Sequence, residues 1–361
     1  MRRGGSFSLV LKITFICIIA ILIFIILFPE SRFSLAVRRF VDPLLPEKLR
    51  STQVEKSNNI RVFFSPSDID DPNGVDDILV ALIDSAKTEI KAAIYSLKLN
   101  NITNALINAK SRGVNVYIVY DESNISEHIR KASDAGIKVV YRPGGGGLMH
   151  NKFFVVDGMR TWTGSMNLTP HGVYYENNNS VLILSEKVAK NFSTEFDEMF
   201  AGSFGYGSPE NTPYPRLFIN GTEIETYFAP ENKVEGEILQ EINKAKKEIV
   251  FMAFSFTNNS IAKAMAEKIK SGVSVKGVFE KTQGSVHSEY EFLNNSGADV
   301  QWDLNRYNMH HKVIVIDEET VITGSYNFSK NAERVNDENC IIIHNREIAG
   351  EYIKEYQRLI R

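Results

Sequence analysis

The chain has 361 residues, 41 Lys/Arg against 44 Asp/Glu and a formal net charge of −3. Its 43% hydrophobic and 24% charged content is ordinary for a globular protein, and the length has room for two domains. The two cysteines, Cys17 and Cys340, are too few for a disulfide framework, and no CxxC or clustered His/Cys/Asp/Glu spacing suggests a zinc site.

Residues 13–28 form an uncharged apolar run, and residues 8–28 are interrupted only by Lys12. That length suits one membrane-spanning helix. A cleaved signal peptide is the rival reading, because Ser34-Leu35-Ala36 resembles a small-x-small cleavage site. The run is long for a signal, and Pro29-Glu30-Ser31-Arg32 separates it from that site, so an uncleaved anchor is expected. Arg2, Arg3 and Lys12 precede the run while Arg32, Arg38 and Arg39 follow it, so the positive-inside rule nearly balances. By analogy with signal-anchor proteins, the chain beyond the anchor is expected on the extracytoplasmic side. The domain reading is an anchor over 1–30, a juxtamembrane stalk over 31–59, a first domain over 60–208 and a second over 209–361.

Residues 60–66 read as a strand ending at Pro66. Residues 75–87 place Ile78, Leu79, Leu82, Ile83 and Ala86 on one helical stripe. A strand over 89–97, a helix over 101–112 stopped by Gly113, and a strand over 114–120 follow. Residues 127–134 read as a helix and 137–141 as a strand. This alternation predicts an α/β layer with much parallel sheet. Gly144 to Gly147 lacks the Lys-Ser/Thr ending of a phosphate-cradling P-loop and reads as a lip or turn.

The second half then replays the first. Tyr227-Phe228-Ala229-Pro230 echoes Phe63-Phe64-Ser65-Pro66, Phe254-Ser255 echoes Tyr95-Ser96, and Gly272-Val273-Ser274-Val275 echoes Gly113-Val114-Asn115-Val116. The join falls where Gly202, Gly205, Gly207, Pro209, Pro213 and Pro215 cluster. Helices over 186–200 and 346–360 close the two halves. This is a whole-domain duplication rather than a short-period solenoid.

At the centre of each copy lies one polar pattern. His150, Lys152, Asp157, Ser165 and Asn167 recur as His310, Lys312, Asp317, Ser325 and Asn327, at offsets 0, +2, +7, +15 and +17. On a strand, His150 and Lys152 share a face and Asn151 points the other way; His311 likewise opposes His310 and reads as packing. An imidazole can attack or move a proton near neutral pH, and an ammonium suits a phosphate oxygen. The Ser hydroxyl and Asn amide can donate to an oxyanion. Asp157 and Asp317 end apolar strands ahead of turns and read as structural.

The pattern resembles the two HKD motifs of the phospholipase D superfamily, HxK(x)4D(x)6GSxN, without a gap in either copy. The resemblance covers residues 60–361. It implies two tandem homologous phospholipase D-like α/β/α domains with pseudo-two-fold symmetry, preceded here by one transmembrane helix. It also implies phosphodiester chemistry at a site shared by both halves. His150 is expected as nucleophile and His310 as acid/base. Lys152, Lys312, Asn167, Asn327, Ser165 and Ser325 are expected around the phosphate, and no cofactor or metal is implied. In the family a Glu orients the motif His. Glu338 fits that place, 28 residues after His310; the first copy has Asn178 there, with Glu176 as a candidate substitute.

Residues 51–361 carry 33 basic and 41 acidic residues, a net charge near −8. Proteins that track nucleic acids usually carry a basic face, so a phospholipid substrate is favoured over DNA or RNA. The basic juxtamembrane stretch suits anionic headgroups. The expected protein is a monomeric, membrane-anchored phospholipid phosphodiesterase working through a phosphohistidine. The alternatives are a nuclease of the same superfamily, cardiolipin-synthase-like phosphatidyl transfer, and a catalytically silent lipid-binding module.

Overall fold

The computed structural model describes residues 59–67 and 74–361. The expected anchor and all of the expected stalk but Asn59 lie outside the described residues. Among the described residues no helix is long and apolar enough to cross a membrane.

The first half runs β1 (Ile60–Ser65), α1 (Val75–Asp84), β2 (Glu89–Ile94), α2 (Asn100–Ser111), β3 (Asn115–Asp121), α3 (Glu127–Asp134), β4 (Lys138–Arg142), β5 (Lys152–Val156), β6 (Arg160–Gly164), α4 (Pro170–Tyr174), β7 (Asn178–Leu184) and α5 (Glu186–Phe200). After a hairpin strand, β8 (Arg216–Ile219), the same order returns. It runs β9 (Thr222–Ala229), α6 (Val234–Lys244), β10 (Glu248–Ala253), α7 (Asn259–Lys270), β11 (Ser274–Phe279), α8 (Tyr290–Asn295), β12 (Asp299–Trp302), β13 (Lys312–Ile316), β14 (Thr320–Gly324), α9 (Lys330–Arg334), β15 (Glu338–His344) and α10 (Arg346–Leu359). The helix starts are written locally. Ser126, Ser185 and Asn345 each accept a backbone N–H three residues on, satisfying a donor that the helix leaves open.

The strands form two mixed sheets, ordered β1-β7-β6-β5-β2-β3-β4 and β12-β11-β10-β13-β14-β15-β9-β8. The expectation of much parallel sheet needs correction. Only β2-β3-β4 and β10-β11-β12 pair in parallel, and every other neighbour is antiparallel. The reason is connection length. A parallel neighbour needs a crossover, which α2 and α3 provide, whereas β5 reaches β6 through a tight turn that forces reversal.

Alternation along the strands sorts the core. Phe153 and Val155 join a cluster shared by both halves, with Phe192 and Phe196 of α5, Val313, Val315, and Tyr352 of α10. Phe154 and Val156 face the outer helices of the first half, and Ile314 and Ile316 those of the second. The two sheets therefore share one central apolar layer. This layer fixes where the motif-bearing ends of β5 and β13 lie.

Candidate active site

The motif histidines sit just before β5 and β13, where backbone from the opposite half runs alongside. The His150 N–H donates to Asp337 O at 3.0 Å, and the Asp337 N–H returns a bond to Leu148 O at 2.8 Å. Reciprocally, His310 N donates to Asn177 O at 2.8 Å and Asn177 N to Asn308 O at 3.0 Å. Each histidine is thus stitched to the segment that leads into the last strand of the other half.

That stitching delivers the orienting side chains across the interface. His150 Nδ1 lies 2.8 Å from Glu338 Oε2. His310 Nδ1 lies 2.9 Å from Asn178 Oδ1 and 3.1 Å from Ser165 O. The expected Glu338 is present, but it serves the first-half histidine, not its own. In the first copy Asn178 itself occupies the equivalent place. Among the described residues no hydrogen bond joins Glu176 to His310; its Oε1 meets Asn308 Nδ2 at 3.3 Å, and its carboxylate also bonds the Asn178 side chain. With each Nδ1 held by an acceptor, each ring keeps Nε2 for chemistry.

Both lysines are buried beside their histidines. Lys152 Nζ donates to His150 O at 2.6 Å and lies 4.8 Å from the Tyr95 ring centroid. Lys312 Nζ donates to His310 O at 2.8 Å and lies 4.7 Å from the Phe254 ring. Burial pushes Lys152 down to about 7, with Glu338 and Asp121 opposing the shift. Burial and the nearby Lys152 push Lys312 well below the usual lysine range. Burial lowers His310 well below its ordinary value too, and Lys312, Lys152 and His150 add to that. Burial lowers His150, against the pull of Glu338. Burial alone would raise Glu338, but His150, Lys152 and Ser325 hold it below the ordinary carboxylate range. Glu338 is the carboxylate hydrogen-bonded to a motif histidine, while Asp121 favours the charged form of Lys152, and Glu176 and Glu280 that of Lys312. Two lysines and two imidazoles gathered in one place suit an anion such as a phosphodiester.

The remaining motif residues divide into two groups. Asn167 and Asn327 each carry a buried amide oxygen without a hydrogen-bond partner, and Asn167 lines a cleft with Lys152, Met166 and Tyr95. The serines stand elsewhere than expected. Ser165 Oγ donates to Asn178 Oδ1 at 2.9 Å and Ser325 Oγ to Glu338 Oε2 at 2.6 Å. Each also accepts a backbone N–H, from Asn179 at 3.1 Å and Asn339 at 3.0 Å. Both hydroxyls are therefore committed to the residues that hold the histidines, Asn178 and Glu338. Asp157 accepts the N–H groups of Lys87, Thr88 and Glu89, and Asp317 those of Lys246, Lys247 and Glu248. Both carboxylates close turns.

A second shared network runs beneath the site. Thr163 Oγ1 donates to Asn339 Oδ1 at 2.7 Å, and Thr323 Oγ1 to Asn179 Oδ1 at 2.8 Å, each across the interface. Asn339 Nδ2 donates to Asn151 Oδ1 at 2.7 Å. His311 is fully buried, with Asn179 Nδ2 at 3.1 Å from its Nδ1 and Glu355 Oε1 at 3.0 Å from its Nε2. Motif spacing carries no sign of Asn179, Asn339, Tyr95 or Phe254. The last two could have been found from the repeat, which aligns Tyr95-Ser96 with Phe254-Ser255.

Among the described residues, Glu225, Glu241 and His344 could together offer ligands to a cation. They lie away from the motif residues and are already paired: His344 Nε2 with Glu225 Oε1 at 2.9 Å, and Glu241 with Lys244.

Two copies of one His-Lys-Asp-Ser-Asn motif, interlocked by hydrogen bonds between the two halves, define a two-part phosphodiesterase. A family model described as "Cardiolipin synthase, PLD-like domain" matches residues 79–200 and 238–360. The chain belongs to this phospholipase D superfamily and is an enzyme of the phosphodiesterase class. It is 29% identical over 155 residues to a phospholipase D of Rickettsia prowazekii, covering 43% of this chain and 76% of the relative. It is 31% identical over 117 residues to a mitochondrial cardiolipin hydrolase of Xenopus tropicalis, covering 32% of this chain and 56% of that protein. The solved phosphatidylserine synthase of Haemophilus influenzae shares the fold, with a TM-score of 0.65 at 13% identity over 83% of this chain and 86% of the other.

Proposed function

We propose that the chain is a membrane-anchored phospholipase D-type phosphodiesterase that removes phospholipid headgroups through a phosphohistidine. The observation that carries this reading is the crossed pairing of Glu338 with His150 and Asn178 with His310. His150 Nε2 attacks phosphorus. The P–N bond forms as the P–O bond to the headgroup alcohol breaks, and His310 gives its Nε2 proton to the departing oxygen. The phosphorylated imidazole is cationic, and only His150 has a carboxylate against its Nδ1, which favours it over His310 as nucleophile. Water then bonds to phosphorus while His310 takes its proton. The P–N bond breaks, releasing phosphatidate and neutral His150.

Lys152, Lys312, Asn167 and Asn327 hold the non-bridging oxygens as charge builds. The arriving phosphodiester anion restores the protonation that burial takes from both lysines and from His310. The net charge near −8 over residues 51–361 favours lipid over nucleic acid. The names of the curated relatives agree with that choice. The apolar run over 13–28 would hold the enzyme at a bilayer, with its catalytic region on the extracytoplasmic side.

The test is hydrolysis of phosphatidylglycerol and phosphatidylcholine, beside single- and double-stranded nucleic acid, with chelator present. Lipid turnover is expected from the wild type and loss of about 10³-fold or more from His150→Ala and from His310→Ala. Primary alcohol should compete with water and yield a phosphatidyl-alcohol. Wild-type turnover in either variant overturns the mechanism; cleavage of nucleic acid alone overturns the substrate.

A further inference from the structure

The two halves act as controls for one another around their histidines. Tyr95 follows β2 and Phe254 follows β10. The Tyr95 ring meets His150 edge-on, with centroids 4.7 Å apart, and Phe254 meets His310 at 4.5 Å. Lys152 lies over the one ring and Lys312 over the other at nearly equal distances, 4.8 and 4.7 Å. The aromatic ring therefore seats imidazole and ammonium in both halves. Phe254 does this without a hydroxyl, so the Tyr95 hydroxyl is not needed for the seating.

That hydroxyl has no hydrogen-bond partner among the described residues, although Tyr95 is partly buried. Tyr95 lines the same cleft as Lys152 and Asn167, where the Asn167 amide oxygen is also without a partner. The hydroxyl is not among the buried polar atoms that lack a partner, so it is open to a molecule entering that cleft. We infer that the Tyr95 hydroxyl is a further catalytic group, which donates to a non-bridging phosphoryl oxygen while the phosphoryl group is held by His150. This rests on the mechanism above and deepens it. The half that takes up the phosphorus carries one more oxyanion donor than the half that moves the proton. The same side also holds Glu338, so both departures from symmetry serve one histidine.

Tyr95→Phe copies the residue that the second half already uses, so the fold should survive. The full chain in detergent–phosphatidylglycerol mixed micelles is compared with Tyr95→Phe, with Tyr95→Phe/Phe254→Tyr and with His150→Ala. The expected result for Tyr95→Phe is a kcat lower by about 10- to 100-fold, with KM within about 3-fold and an unchanged thermal midpoint. Moving the hydroxyl across should not restore the rate. A kcat within about 2-fold of wild type, or recovery in the double variant, overturns the inference. Activity retained by His150→Ala instead overturns the mechanism itself, and the role of Tyr95 with it.

Discussion

Glu338 and Asn178 stand at equivalent places in the repeat, yet one is a carboxylate and the other an amide. The consequence is electrostatic. Glu338 offsets part of the cost of charging His150, whereas His310 has neutral acceptors at Nδ1 and is lowered by burial, Lys312, Lys152 and His150. His310 must be protonated to release the headgroup, and its lowered pKa means that this form is lost as pH rises. The alkaline limb of kcat/KM should therefore fall below the ordinary histidine range. A carboxylate beside His310 favours imidazolium, so Asn178→Glu should move that limb upward by about one pH unit or more. A pH–rate profile of the free enzyme checks this. An unmoved limb, or one displaced to lower pH, shows that His310 is not the acid.

The motif's Asp acts on elements rather than on substrate. Asp157, with φ +53°, gathers the N–H groups of Lys87, Thr88 and Glu89, which lead into β2, and so ties the β5–β6 turn to the α1–β2 connection. Asp157→Ala should cost about 2 kcal/mol, since it leaves those donors without their charged acceptor. These bonds hold Asp157 below its ordinary pKa despite the opposing effect of burial. A depressed carboxylate contributes stability above its unfolded pKa and loses it as pH falls through the folded value. The gap between wild type and Asp157→Ala in urea unfolding should thus be full near pH 7 and close under acid conditions. A gap independent of pH would place the contribution elsewhere.

Across the whole molecule, the halves must meet within hydrogen-bond tolerance or neither histidine is oriented. Arg142 is the main charged clasp. Its guanidinium donates to Asp337 Oδ2 at 2.6 Å, and to Val335 O, Leu148 O and Gly146 O, with only 5% of its surface exposed. Gly147 packs so closely on Val335 that a Cβ would lie 2.0 Å from its carbonyl oxygen. Asp337 also accepts the N–H of Gly205, from the segment joining the halves, at 2.6 Å. Burial pushes Asp337 up to about 6 even with Arg142 beside it. Arg142→Met leaves that carboxyl buried without its counter-charge and should cost about 3–5 kcal/mol in urea unfolding. Because Asp337 precedes Glu338, the same variant should lose activity at temperatures where it remains folded. Full activity in a destabilised Arg142→Met protein would separate the clasp from the site.

The doubled spacing of His, Lys, Asp, Ser and Asn was visible without coordinates, as were the helices over 127–134 and 186–200. These signals are local: periodic apolar positions, a capping Ser, and a motif repeated in register. Sequence alone thus determined the superfamily, the duplication and the positions of the doubled motif. Which half serves which histidine was decided only in three dimensions. Glu338 reaches His150 across 188 positions, because the shared apolar layer turns the last strand of each half toward the other's motif. Such pairing depends on how two sheets dock. No spacing along one chain encodes that docking, just as none distinguishes a serine that touches phosphate from one that steadies the carboxylate behind the ring.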